Sequence, residues 1–128
     1  MRDVRQPLSK ILAAIPGLEL AYLFGSYATG SARPDSDIDV AVRFPEALTG
    51  ERKMDLIERI ADELGCPVDV VDLHEVPEPV TGEVVKGIRL WGTDTAHAQL
   101  LFRHLLNVAD FLPLRQSILE ARRQAWIR

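Results

Sequence analysis

Residues 25–39 read Gly25-Ser26-Tyr27-Ala28-Thr29-Gly30-Ser31-Ala32-Arg33-Pro34-Asp35-Ser36-Asp37-Ile38-Asp39. Upstream, the apolar stretch Leu18 to Phe24 lies between Gly17 and Gly25, which predicts a buried strand running straight into Gly25-Ser26. Downstream, Ser36 to Arg43 alternates, with Ile38, Val40 and Val42 on one face and Asp37, Asp39 and Ala41 on the other, as in a half-buried strand. Gly25 and Gly30 imitate the start of a phosphate-cradling loop, but Ser31-Ala32 stands where such a loop needs Lys-Ser/Thr, so that reading fails. A strand, Gly-Ser and a short helix remain. The free N–H groups and positive end of that helix suit a phosphate, with Ser26 adding a hydroxyl donor; the same residues also make an ordinary tight turn.

Asp37 and Asp39 shift that balance. Side chains two apart on a strand project to one side, so the two carboxylates come within reach of one ion. Unpaired, they repel and raise each other's pKa; hard oxygen ligands on a strand suit Mg²⁺, which commonly takes one or two carboxylates and completes its shell with substrate phosphates. The competing reading is a solvated strand face. A third carboxylate is offered by Val68-Asp69-Val70-Val71-Asp72-Leu73, where alternation lets only one of Asp69 and Asp72 join the pair. Asp69 is the stronger candidate, since it sits between valines where an uncompensated charge is costly, while Asp72 is expected in a surface or capping role.

Around this centre, Leu8, Ile11, Leu12 and Ile15 predict an amphipathic helix behind Pro7 that stops at Pro16-Gly17. Met54, Ile57, Ile60, Ala61 and Leu64 predict a second helix over Glu51–Leu64, with Gly65 as its C-terminal cap. Pro67 to Leu73 reads as a buried strand and Val76 to Pro79 as a loop. Val80 to Lys86 reads as one or two helical turns, and Gly87 to Trp91 as a short edge strand. From Asp94, Ala96, Leu100, Leu101, Leu105, Val108, Phe111 and Leu112 form a helical stripe capped by Thr93 or Asp94; Pro113 ends or kinks it, and Leu114 to Trp126 is a further helical piece.

The 128 residues make one domain, read as a core over 1–93 and a C-terminal helical segment over 94–128 that packs on the core or on a partner. The net charge of −4 argues against gripping nucleic acid by general electrostatics. Charge is uneven: Arg115 to Arg128 holds four Arg and one Glu, so a basic contact surface, if present, lies there and would serve homo- or hetero-oligomer formation. Cys66 alone excludes an internal disulfide, and with neither an export signal nor a long apolar run the expectation is a cytoplasmic protein that does not touch the membrane. His74, His97 and His104 are too scattered for a metal site.

Gly25-Ser26, the ten residues Tyr27 to Ser36, Asp37-Ile38-Asp39 and the later Val68-Asp69-Val70 together resemble the signature of the polymerase-beta-type nucleotidyltransferase superfamily. The compact length and the run Gly25 to Gly30 are most similar to the minimal nucleotidyltransferases, among them the MntA-type antitoxins paired with HEPN-domain toxins. The match runs from the first strand to about Leu73. The resemblance implies an α/β (α+β) fold, a small mixed sheet with helices on one face and the acidic cluster on the other, followed by a helical tail.

It also implies roles. Asp37, Asp39 and Asp69 would be catalytic and hold two Mg²⁺ ions with bound ATP; Gly25, Ser26 and Ser36 would bind the nucleotide. Arg33 lies in the motif as either a phosphate contact or a loop charge. Only some 35 residues follow Gly92, too few for an acceptor-binding domain, so the implied acceptor is a macromolecule: AMP passes from ATP to a tyrosine of a HEPN ribonuclease toxin. The alternatives are a non-catalytic antitoxin that neutralises by complex formation, and transfer to a small molecule such as an aminoglycoside.

Overall fold

The computed structural model describes residues 3–108. Helix α1 (Arg5–Ala13) leads to strand β1 (Leu20–Phe24), the single turn α2 (Ser26–Thr29) and strand β2 (Ile38–Arg43). Helix α3 (Gly50–Leu64), strand β3 (Val68–Asp72), helix α4 (Glu78–Val85) and strand β4 (Ile88–Trp91) follow. Residues 94–108 are helical. The expected Leu114 to Trp126 helix, the break at Pro113 and the packing of Phe111, Leu112 and Trp126 lie outside the described residues.

The four strands form one mixed sheet in the order β3-β2-β1-β4. β1 runs antiparallel to both β2 and β4, whereas β2 and β3 are parallel and joined through α3, the crossover that parallel neighbours require. Among the described residues β3 is therefore one free edge of the sheet, and β4 is the other, as expected of Gly87 to Trp91.

One face carries the main core: Ala21, Leu23, Ile38, Val40, Val42, Val68 and Val70 pack against Leu8, Ile11 and Leu12 of α1 and Leu56, Ile60 and Leu64 of α3. Each such residue buried completely contributes about 1.5–3 kcal/mol from apolar area. The buried spacing of α3 is four and four, Leu56-Ile60-Leu64; Met54, expected on this stripe, is 53% exposed. Two helical periods overlap in this sequence, and the one centred on Ile60 wins because it alone points Leu56 and Leu64 at the sheet. Thr49 caps the first turn by accepting from Arg52 N at 3.1 Å, and Gly65, at φ +70°, closes the last by donating to the Ala61 carbonyl.

The opposite face is only partly open. Leu20, Tyr22 and Ala41 pack there with Val84 of α4 and with Leu100 from the helix that starts at 94. Helices therefore cover both faces, and the acidic cluster occupies the uncovered end of the second. Ala41, which shares its face with Asp37 and Asp39, is fully buried for this reason. Pro79, expected in a loop, sits in the first turn of α4, where a missing N–H costs nothing. Thr93 caps the helix that follows, accepting from Ala96 N at 3.1 Å.

Candidate active site

Asp39 is the centre of the site. The register places it beside Phe24 of β1 on one side and Asp69 of β3 on the other. Asp37 stands just ahead of β2, two residues back, and so projects to the same side. Asp69 lies one strand spacing, about 4.8 Å, across from Asp39 and Asp37 lies two residues back along the chain, so the three carboxylates cluster around Asp39 over the open end of the sheet. Asp37 and Asp69 are exposed and Asp39 is half-buried. Burial, then the charge of Asp69, then that of Asp37, push the Asp39 carboxyl above its ordinary value.

The turn after β1 is shaped around this carboxylate. Gly25 has φ +73° and ψ −153°, and a Cβ there would lie 2.3 Å from Asp39 Oδ2. Only glycine allows the chain to pass this close while in that backbone region. Ser26 follows as the first residue of α2; its hydroxyl makes no hydrogen bond with the described residues, and the first bonded donor of the turn is Ala28 N, to the Gly25 carbonyl at 3.1 Å. The N–H groups of Ser26 and Tyr27 lie ahead of it. Ser36 is engaged in its own loop: its Oγ accepts from Arg33 N at 2.7 Å, and its N–H donates to the Arg33 carbonyl at 2.9 Å. The Ser36 hydroxyl proton remains to donate. Arg33 is exposed.

Asp72 stands apart from this cluster. It aligns with Val42 on the α3 side of the sheet, is 7% exposed, and accepts from Leu48 N at 2.7 Å and from His74 N at 2.9 Å. The expected capping role holds, but at a buried position rather than at the surface, because the loop before α3 closes over it. Asp69, expected to be held among valines, instead faces the open end of the sheet; alternation, not burial of its charge, explains its place in the cluster.

The histidines act singly. His74 Nε2 donates to the Phe44 carbonyl at 2.5 Å, His97 Nδ1 is 2.7 Å from the Tyr22 hydroxyl, and His104 pairs with Glu78. Among the described residues no group of three His, Cys, Asp or Glu side chains is gathered closely enough to hold a metal by itself. What the cluster offers a hard cation is two or three carboxylate oxygens, an excess of negative charge and an approach kept open by Gly25. Such a donor set fits Mg²⁺ once phosphate oxygens complete its shell.

A trough of about 330 Å³ runs along the free edge of β3, lined by Leu48, Lys53, Asp69, Val71, Val76 and Val80 among others. Lys53 and this trough were not legible from the sequence, where Lys53 is one charged residue of an exposed helix face. A larger hollow, about 740 Å³, lies at the far end of the sheet beside Arg43, Arg89 and Trp91 and includes none of the carboxylate cluster. That hollow offers no group of repelled carboxylates, and its arginines are already paired, with Glu19 and Asp94.

A mixed sheet with a glycine-bounded turn at one strand and paired carboxylates on the next defines a nucleotidyltransferase-type domain. The polymerase beta nucleotidyltransferase model matches residues 6–96, and the chain belongs to that family. It is similar to the protein adenylyltransferase MntA of Shewanella oneidensis, with 41% identity over 107 residues, covering 83% of this chain and 77% of the relative. It is also similar to a chain of a toxin–antitoxin crystallised with AMP-PNP, at a TM-score of 0.78 and 31% identity, covering 91% of this chain and 96% of that one. A third similarity is to a chain in the complex of tri-AMPylated Shewanella oneidensis HEPN toxin with MNT antitoxin, at a TM-score of 0.71 and 29% identity, covering 91% and 93%. No helix of the described residues is long and apolar enough to cross a membrane.

Proposed function

We propose that this chain is a protein adenylyltransferase acting in the cytoplasm as the antitoxin of a HEPN ribonuclease toxin, transferring AMP from ATP to a toxin tyrosine. The observation that carries the reading is the half-buried Asp39, beside the charges of Asp37 and Asp69 and in the space that a Cβ on Gly25 would need. Three mutually repelling carboxylates are a liability unless cations and phosphates neutralise them. The two relatives solved in toxin–antitoxin complexes, and the adenylyltransferase MntA, supply the substrate and partner class.

Gly25 and the Ser26 and Tyr27 N–H groups, with the Ser26 hydroxyl, receive the triphosphate, and the Ser36 hydroxyl proton adds a donor. Asp37 and Asp39 face the α-phosphate, and Asp69 faces the acceptor. The phenolic oxygen attacks the α-phosphorus; as that O–P bond forms, the bond from α-phosphorus to the bridging oxygen breaks and pyrophosphate leaves with the electron pair. Asp69 takes the phenolic proton in this reading. Mg²⁺, held by Asp37, Asp39 and Asp69, would neutralise the triphosphate and stabilise charge on the departing pyrophosphate. The attached phosphodiester adds negative charge and bulk beside an RNA site, which closes it by repulsion and sterics. Intact-mass spectrometry of its HEPN toxin partner, after incubation with the chain and Mg²⁺-ATP, tests the reading: added AMP supports it, and an unchanged toxin mass rejects it.

A further inference from the structure

We infer that the trough along the free edge of β3 is the acceptor subsite, taking the ring of the toxin tyrosine between Leu48, Val76 and Val80 with Lys53 at its wall. This inference rests on the proposed function and adds where the acceptor binds and which residues select it.

The order of groups across the sheet supports it. The turn Gly25-Ser26 follows β1, Asp39 is on β2 and Asp69 is on β3, so the nucleotide side and the acceptor side flank Asp39 from opposite directions. Among the described residues β3 has no further strand beyond it, and the trough, about 330 Å³, opens there with Asp69 in its lining. A group lying in the trough therefore reaches Asp69 from the side away from the triphosphate, as an attack in line with a departing pyrophosphate requires.

The walls choose the chemistry. Leu48, Val71, Val76 and Val80 are half-buried and give the trough an apolar wall, with Asp72 and Glu75 also in its lining; a flat ring fits against that wall while presenting its hydroxyl at the end. A serine or threonine reaching the same carboxylate would leave that slot wet. Lys53, near the start of α3, is the basic residue of the trough's lining and puts a cation beside the slot where a phenolic oxygen gains negative charge on losing its proton. Asp72 acts here as a positioning residue: by accepting from Leu48 N it fixes the wall that Leu48 provides.

The test uses the full chain and its HEPN toxin partner. Val76→Trp fills the slot, Lys53→Glu reverses the charge at its wall, and Lys53→Arg keeps that charge. Three measurements are made on each: the Tm shift with Mg²⁺-ATP, co-elution with the toxin, and the single-turnover rate of AMP addition by intact mass. The expected result is an unchanged Tm shift and retained co-elution, with the rate down about tenfold or more in Val76→Trp and Lys53→Glu and restored in Lys53→Arg. Wild-type rates in both Val76→Trp and Lys53→Glu overturn the inference and leave the adenylyltransferase reading standing. Lost co-elution also overturns it, because the trough is then a docking contact. Should Val76→Trp fail to fold, Lys53→Glu and Lys53→Arg decide the matter alone. A wild-type chain that binds Mg²⁺-ATP and toxin but adds no mass removes the parent reading, and the inference with it.

Discussion

Asp39 Oδ2 occupies the space that a side chain at position 25 would need: a Cβ on Gly25 would fall 2.3 Å from it. The turn and the carboxylate are parts of one device, since β1 and β2 are paired neighbours and Phe24 aligns with Asp39.

Gly25→Ala should therefore damage both backbone and site. The φ of +73° with ψ −153° is a region kept for glycine, so strain of about 1–3 kcal/mol is expected, and the new methyl must displace the Asp39 carboxylate. Thermal unfolding should show a modest drop in Tm, while the rate of AMP addition should fall by far more, about a hundredfold. Equal AMP addition by the variant would mean that Asp39 need not stand where it does.

Asp39→Asn should stabilise the free chain at neutral pH. Burial and the charges of Asp69 and Asp37 raise this carboxyl above the unfolded value near 3.8, so the folded state binds its proton more tightly and loses stability as pH climbs through the window above that value. The gain from the substitution is then full above the raised pKa and absent below the unfolded one. Mg²⁺-ATP should raise the Tm of the wild type and not of Asp37→Asn with Asp39→Asn. Tm profiles from pH 3 to 8, with and without Mg²⁺-ATP, check both statements, and a double variant that responds as the wild type does would move the site elsewhere.

The elements were legible because periodicity and punctuation agree at Leu8 to Ile15, at Leu18 to Phe24 and in the alternation of Ser36 to Arg43. The candidate residues were legible because Asp37 and Asp39 sit two apart on a strand that follows Gly25-Ser26 at a fixed distance. Other features depend on contacts between segments far apart in sequence. Asp72 is buried because the Leu48 N–H comes to it from 24 positions away, and Met54 is exposed because the sheet selects the Leu56-Ile60-Leu64 stripe. Ala41 is covered by Val84 and Leu100, whose arrival over the acidic face no local pattern announces. The trough exists only because β3 is an edge, a property of strand order rather than of any one segment.

Asp69 and Asp72, three apart on the same strand, should respond in opposite ways. Asp72 is buried and its two oxygens accept from Leu48 N and His74 N, so Asp72→Ala leaves two donors without their acceptor and should cost about 1–3 kcal/mol or more in urea unfolding. Asp69 is exposed and beside Asp39, whose carboxyl its charge disfavours, so Asp69→Asn should unfold at or slightly above the wild-type urea concentration while losing AMP addition. The reverse pattern would transfer the third catalytic carboxylate from Asp69 to Asp72.

The last prediction separates covalent from stoichiometric neutralisation. An antitoxin that only covers its toxin must stay bound to inhibit, and changing Asp69 to Asn at an exposed position should leave such inhibition intact. An adenylyltransferase leaves its product behind. Toxin is incubated with Mg²⁺-ATP and either wild-type chain or Asp69→Asn, the chain is removed under conditions that dissociate the complex, and RNase activity is assayed beside intact mass. After wild type, the toxin should remain inactive and carry AMP; after Asp69→Asn, it should regain activity and carry none, since the proposed proton acceptor and one proposed carboxylate for Mg²⁺ are lost together. Ser26→Ala should fall between, slowing addition through poorer hold on the triphosphate without abolishing it. Toxin that recovers fully after removal of the wild-type chain, at unchanged mass, would assign neutralisation to binding and leave the carboxylate cluster without a part in it.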